Sequence, residues 1–220
     1  MKIQSISLSI LISLGIPSIS SAATFIEFDD RASFEAALNS FSLVDFNSFA
    51  SDVNLTPTPL DVGPFSISAD TSNTDYRIES DGSDVVNIDG TAFVRGVDEP
   101  NSSLTFTFDA PIFAFGADLS DVNNQVERSR LEILGTEFSY PIVNQGPPIT
   151  RSFFGVISDT AFTTASFNAL TAGEEAGIDN VTFSADIAAV PLPAAGLLLF
   201  FGVASMAGLQ RRSLGKSQSI

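Results

Sequence analysis

Apolar and polar residues alternate with a period of two along much of the chain. From Ser103 to Phe108 the order Ser, Leu, Thr, Phe, Thr, Phe puts Leu104, Phe106 and Phe108 on one face of an extended strand and the hydroxyl side chains on the other. Asp109, Ala110 and Pro111 follow as a predicted turn, and Ile112 to Ala117, with Phe113 and Phe115, is predicted to return antiparallel as the second arm of a phenylalanine-lined hairpin. Similar short runs occur at Leu43–Asn47, Phe65–Ala69, Val85–Ile88, Leu131–Leu134, Phe153–Ile157, Phe162–Phe167 and Ile178–Phe183. One stretch has helical spacing instead. In Asp30–Leu38, Asp30 is placed to cap the first turn and Phe34, Ala37 and Leu38 share a face. Many short strands separated by turn residues predict an all-β, jelly-roll-like β-sandwich with one short N-terminal helix over one end.

The two termini break this pattern. Val190 to Leu209 is 20 residues without a charge; at about 1.5 Å per residue that length matches a bilayer core of roughly 30 Å, which predicts a single C-terminal transmembrane helix. Pro191 and Pro193 suit the first turn of such a helix, whose amides have no partner. Arg211, Arg212 and Lys216 are expected to hold the end on the cytoplasmic side. At the other end Lys2 precedes an apolar, serine-diluted stretch, Ile3 to Ile19, followed by Ser20, Ser21, Ala22 and Ala23, the small-residue pattern a signal peptidase accepts. The expected organisation is therefore a signal peptide at 1–23 cleaved at Ala22 or Ala23, an exported domain at 24–186, a sorting and transmembrane segment at 187–212 and a cytoplasmic tail at 213–220.

Charge follows the same division. All 26 acidic residues fall between 24 and 186 with only six arginines and no lysine, so the exported part carries −20. Such a body repels polyanions, and nucleic acid is excluded as a partner. Cysteine, histidine and tryptophan are absent. Disulfide staples, thiolate catalysis, serine–histidine–aspartate triads and the usual zinc sites go with them. The core must carry stability, and 18 of the 20 phenylalanines lie in the exported part to build it.

The tail Val190-Pro191-Leu192-Pro193-Ala194, its apolar helix and the pair Arg211-Arg212 resemble the PEP-CTERM sorting signal in its VPLPA form. The resemblance implies that an exosortase, a membrane cysteine protease, cuts near the proline motif and passes the exported domain to the cell surface or extracellular matrix of a Gram-negative bacterium that makes exopolysaccharide. Ser213 to Ile220 extend past the point where many such tails stop. The body segments Phe28–Phe34, Val44–Asn47, Ala114–Asp118, Phe153–Asp159 and Gly177–Val181 are similar to exported domains that precede these tails, which implies a galactose-binding-like or lectin-like sandwich. The expected role is non-enzymatic: a surface or matrix protein associated with exopolysaccharide or biofilm, with signal peptidase and exosortase as partners. The alternative is a periplasmic carbohydrate-binding module that stays tethered to the membrane.

No cofactor is required by this reading, and calcium is the ion it admits. In sandwiches of the implied kind a structural calcium lies between the first long strand and the last, and the residues in those places here are Asp45, Asn47, Asp179 and Asn180. The plainer expectation for Asp179 and Asn180 is a turn or a solvated edge. Two further acid pairs, Asp81 with Asp84 and Asp118 with Asp121, have turn-like spacing and are expected in solvated loops. A glycosidase needs only two carboxylates, for which Glu174 with Glu175 or Glu132 with Glu137 would have to serve. A sugar-binding surface would draw on Tyr76 and Tyr140, the two aromatics able to stack and hydrogen-bond together.

Overall fold

A computed structural model describes residues 22–70, 75–81, 86–97, 100–120, 129–140, 151–170 and 175–187. These form a nearly all-β, antiparallel structure of 12 strands with a single short helix. In chain order they are β1 (Phe25–Phe28), α1 (Arg31–Ala36), β2 (Ser42–Val44), β3 (Val53–Asn54), β4 (Leu60–Asp61), β5 (Phe65–Ala69), β6 (Arg77–Glu79), β7 (Phe93–Val97), β8 (Ser103–Ser120), β9 (Ser129–Ile133), β10 (Thr136–Phe138), β11 (Arg151–Ala169) and β12 (Glu175–Ser184).

Two strands carry the architecture. β8 and β11 run 18 and 19 residues, and each bends midway to serve two layers. In the first layer, residues 103–108 of β8 lie between β5 and residues 164–168 of β11, with β4 beyond β5 and β9 and β10 beyond β11. In the second, residues 114–120 of β8 lie between residues 151–157 of β11 and β12. β1 borders that stretch of β11, and β7, β6 and β3 follow β12. The hairpin expected at Asp109–Pro111 is thus a bend in one continuous strand. Asp109, Ala110 and Pro111 are exposed there, and the pairing of β8 with β11 skips from Ile112 to Thr107. Proline, which cannot donate to a ladder, sits where no ladder bond is required. β11 bends alongside, at the exposed Asp159–Ala161, and joins the two runs that the sequence analysis separates at Phe153–Ile157 and Phe162–Phe167.

The core forms where the layers face each other. Phe106 and Phe108 meet Phe115 at ring-centroid distances of 5.6 and 6.1 Å, and Phe65 meets Phe183 edge-on at 5.9 Å. Aromatic contacts of this kind contribute about 0.5–1.5 kcal/mol beyond the area they bury. Leu119, Ile67, Ile78, Leu131 and Ile133 complete the same cluster. On the outer face of the second layer, α1 packs Phe34 against Phe153 (5.2 Å) and Phe28 (5.6 Å), with Ala114 and Ile157 beneath. Gly155 makes room for this: a Cβ there would stand 2.7 Å from the Phe34 ring and 2.9 Å from that of Phe153.

The helix begins where the sequence places its cap, with Asp30 accepting from the Ser33 amide at 2.8 Å. Val86–Ile88, predicted as part of a strand, is instead a turn whose apolar side chains are buried. The predicted run Leu43–Asn47 stops at Val44, because Phe46 takes a φ of 54° that an extended strand excludes. No helix among the described residues is long and apolar enough to cross a membrane. The proposed spanning and sorting residues, Val190 to Arg212, lie outside the described residues, and so does all of the leader before Ala22.

Candidate functional site: an acidic seam beside the last strand

Along one edge, β12 has two partners in succession. Residues 175–178 pair with β7 and residues 181–183 pair with β2, which leaves Asp179 and Asn180 in the seam between those partners. On its other edge β12 carries a bulge at the same place: Asp179 faces Asp118 of β8, the next pair is Thr182 with Gly116, and Asn180 takes a left-handed φ of 51°. Residues opposite each other across antiparallel strands point to the same face. The inward-facing neighbours Ala117, Leu119, Ile178 and Val181 belong to the core. Asp118 and Asp179 therefore share the outer face of the second layer.

Three segments cover that face around them. α1 lies on one side, and its first residue, Arg31, reaches in. Arg31 contacts Asp118 at 3.0 Å, Glu35 at 3.3 Å, the Thr182 hydroxyl at 2.6 Å and the Asn180 carbonyl at 2.9 Å, with its guanidinium 4.7 Å above the Phe153 ring. The turn at 86–91 lies on the other side. Ser120 donates to the Val86 carbonyl, and the Arg151 guanidinium donates to the Asn87 carbonyl at 3.2 Å. Gly177 is required beneath this turn, since a Cβ would collide with the Val86 carbonyl. The third segment is the Asp45–Asn47 turn that leaves β2, where Asp45 accepts from the Asn47 amide at 3.2 Å.

Four carboxylates thus come from four segments of chain: Asp45, Asp89, Asp118 and Asp179. Asp179 is fully buried. Its Oδ1 accepts from the Asn180 amide at 2.6 Å, while its Oδ2 is buried with no hydrogen-bond partner. Burial pushes its pKa up to about 8, and the charges of Asp89, Asp118 and Asp45 push in the same direction. Asp118 is half-buried and spends one oxygen on Arg31 and the other on the Asn180 side-chain amide at 3.1 Å. Asp45, Asn47 and Asp89 are exposed. Among the described residues no group of three or more carboxylates is placed to hold a metal ion.

Of the calcium candidates read from the sequence, Asp179 and Asn180 sit on the last strand and Asp45 and Asn47 on the turn just beyond β2. Asp118, expected in a solvated loop, is a strand residue held in an ion pair, and Asp89 enters from a turn with no sequence signal pointing to it. The tyrosines are removed as sugar platforms. Tyr76 and Tyr140 are 3% and 4% exposed, with their hydroxyls bonded to Ser102 and Ser129. Glu132 and Glu137 face each other across the β9–β10 hairpin, where Glu137 is ion-paired with Arg130 at 2.7 Å and Glu132 accepts from Asn168 at 2.6 Å. An open cleft elsewhere is lined by Glu27, Phe28, Asp29, Ser139, Tyr140 and Phe154.

No protein-family model matches the chain, and no curated protein matches it either. Among solved structures, the family 29 carbohydrate-binding module CBM29-2 overlaps with a TM-score of 0.35 at 9% identity, over 67% of this chain and 93% of that one. The catalytic domain of a GH87 α-1,3-glucanase overlaps with a TM-score of 0.38 at 14% identity, over 72% of this chain and 30% of that one. The thermostable GH87 enzyme of Streptomyces thermodiastaticus strain HF3-3 gives 0.36 at 17%, over 72% and 28%. Overlaps this slight carry no functional argument.

Proposed function

We propose that the chain is an exported, non-enzymatic β-sandwich module, delivered by its leader and sorted to the cell surface or matrix by the tail Val190–Arg212. The observation that carries this reading is the division of charge and apolarity along the chain. An acidic body stands between two apolar segments, and every remaining cation lies at their outer ends, Lys2 before the first and Arg211, Arg212 and Lys216 after the second. Within the described residues, the body reaches an isolated bridge of Ile187 to Leu38, three residues before Val190, which is compatible with this role. Arg31, Arg77, Arg95 and Arg130 are each paired with carboxylates of the same domain, which leaves the surface anionic and favours neutral glycans or cations over nucleic acid as contacts.

Exosortase and signal peptidase are the processing partners in this account, and exopolysaccharide is the expected neighbour at the destination. Fractionation of the native host tests it, comparing wild type with a Pro191→Ala, Pro193→Ala double variant. The account predicts wild-type protein beyond the inner membrane and the variant retained there at full length. Wild type and variant both left in the inner membrane would instead mean a plain tether.

A further inference from the structure

The two apolar segments of the chain join the body at one and the same end. Strand register fixes this: Ile26 of β1 faces Ile157 of β11, Ile157 faces Ala114 of β8, and Ala114 faces Ser184 of β12. Thr24, where the leader joins, stands just before β1, and Ile187, where the tail departs, stands just past β12. Three strand spacings separate the two exits, about 14 Å. Phe41 lies beside Ser184 in that row, one residue before the pairing of Ser42 with Phe183, and Leu43 lies in the next row, opposite Thr182. We propose that this end of the body, with Phe41, Leu43 and Ile26 at its rim, rests on the bilayer that holds the tail.

Exposure singles out these side chains. Among the described residues five large apolar side chains are exposed, and Ile26, Phe41 and Leu43 are three of them, at 41%, 46% and 46%. Ile26 and Leu43 share the outer face of the second layer with their partners Ile157 and Thr182. The other two, Leu134 and Leu170, lie in the turn between β9 and β10 and past the end of β11. The reach of the chain decides what meets the patch. Ile187 is tied to the body by its bridge to Leu38 and by the Asn39 side-chain amide, which donates to the Ile187 carbonyl at 2.9 Å. Val190, where the apolar run begins, is three residues on, a span of at most about 10 Å. A tail that crosses a bilayer therefore keeps this end of the body at the headgroups, where phenylalanine and leucine side chains leave water for the acyl boundary. Asp109, Asp159 and Asp186 are exposed at the same end, so the surface that fits is zwitterionic lipid rather than anionic lipid, which would repel them. The inference rests on the reading of Val190 to Leu209 as a membrane span, and it deepens that reading by giving the uncut body one orientation on the membrane.

The chain has no tryptophan, so a single introduced one reads this contact without background. The full chain carrying Phe41→Trp, Leu43→Trp or, away from the patch, Leu170→Trp is reconstituted into phosphatidylcholine vesicles with and without brominated acyl chains. Flotation with the vesicles after an alkaline carbonate wash reports the tail, and quenching of emission reports the patch. We expect all three chains to float, the Phe41→Trp and Leu43→Trp chains to lose emission in brominated vesicles, and the Leu170→Trp chain to keep it. Added phosphatidylglycerol should lessen the loss; a loss that grows with it overturns the zwitterionic surface. Chains that float without quenching at either patch position overturn the proposal and leave the span standing, and equal quenching of the Leu170→Trp chain overturns it too. Chains that fail to float overturn the span and with it the orientation. A blue-shifted, unquenched emission that grows with the ratio of protein to lipid assigns the patch to a second copy of this chain and overturns the lipid contact. Should one patch variant fail to fold, the other decides by the same outcomes.

Discussion

At the scale of single residues, Asp179 dominates the electrostatics. Burial raises its pKa in the folded chain to about 8, above the ordinary aspartate value of 3.8, so between those two values the folded state keeps a proton that the unfolded chain has released. Stability should therefore fall as pH rises from about 4 to about 8 and level off above that, by a total on the order of a few kcal/mol. The hydrogen-bonded carboxylates work the other way. Asp30, Asp52 and Asp159 are held below 3.8 chiefly by their bonds to Ser33, Ser80 and Thr24, and what they contribute is present above 3.8 and lost as pH falls through their depressed values. Melting midpoints measured against pH should thus peak in mild acid, and Asp179→Asn should flatten the alkaline side. A midpoint that keeps rising from pH 5 to 8 would contradict this account of Asp179. The sequence showed Asp45 and Asp179 as a pair worth naming. It could not show Asp118 or Asp89 beside them, because that depends on strand register and on a bulge that shifts β12 by one residue. Tyr76 and Tyr140 failed as platforms for a related reason, since burial is decided by neighbours far away in the chain.

Among the elements, those whose signal is local were legible. β5 lies at Phe65–Ala69 as its alternation predicts, and α1 starts at its Asp30 cap. Replacing that cap, Asp30→Ala, should cost about 1 kcal/mol in chemical denaturation; an unchanged midpoint would mean the helix is held by Phe34 and Arg31 alone. The long strands were not legible. Asp109-Ala110-Pro111 carries the composition of a turn, yet the chain bends there and continues, because β11 bends beside it and both halves of β8 find partners in different layers. The short strands β3, β4 and β10 have no periodicity to read in two or three residues. The contact between α1 and the sheet makes a sharper prediction. Gly155→Ala should destabilise by about 1–3 kcal/mol, since its methyl must displace the rings of Phe34 and Phe153. A neutral result would mean that the helix rides loosely on the sheet.

For the whole molecule, a phenylalanine core holds together a domain without cysteines, and in the proposed account the tail decides where that domain goes. The most exacting check of the core is Phe115→Ala. This ring touches Phe106, Phe108 and Phe167 across the two layers, and its loss should cost about 3–5 kcal/mol. The Thr24 amide donates to Asp159 at 2.9 Å, immediately after the proposed cleavage position Ala23. If the leader is removed there, the new α-ammonium of Thr24 would be created against a carboxylate already in place. The central claim is that this body is cut free at both ends and delivered to the surface, and the most direct test is the intact mass of the protein recovered from the native cell envelope and medium. The account predicts a species that starts at or next to Thr24 and ends near Val190, lacking Arg211 and Arg212. Recovery of a chain that retains Arg211 and Arg212 and is confined to the inner membrane would contradict it.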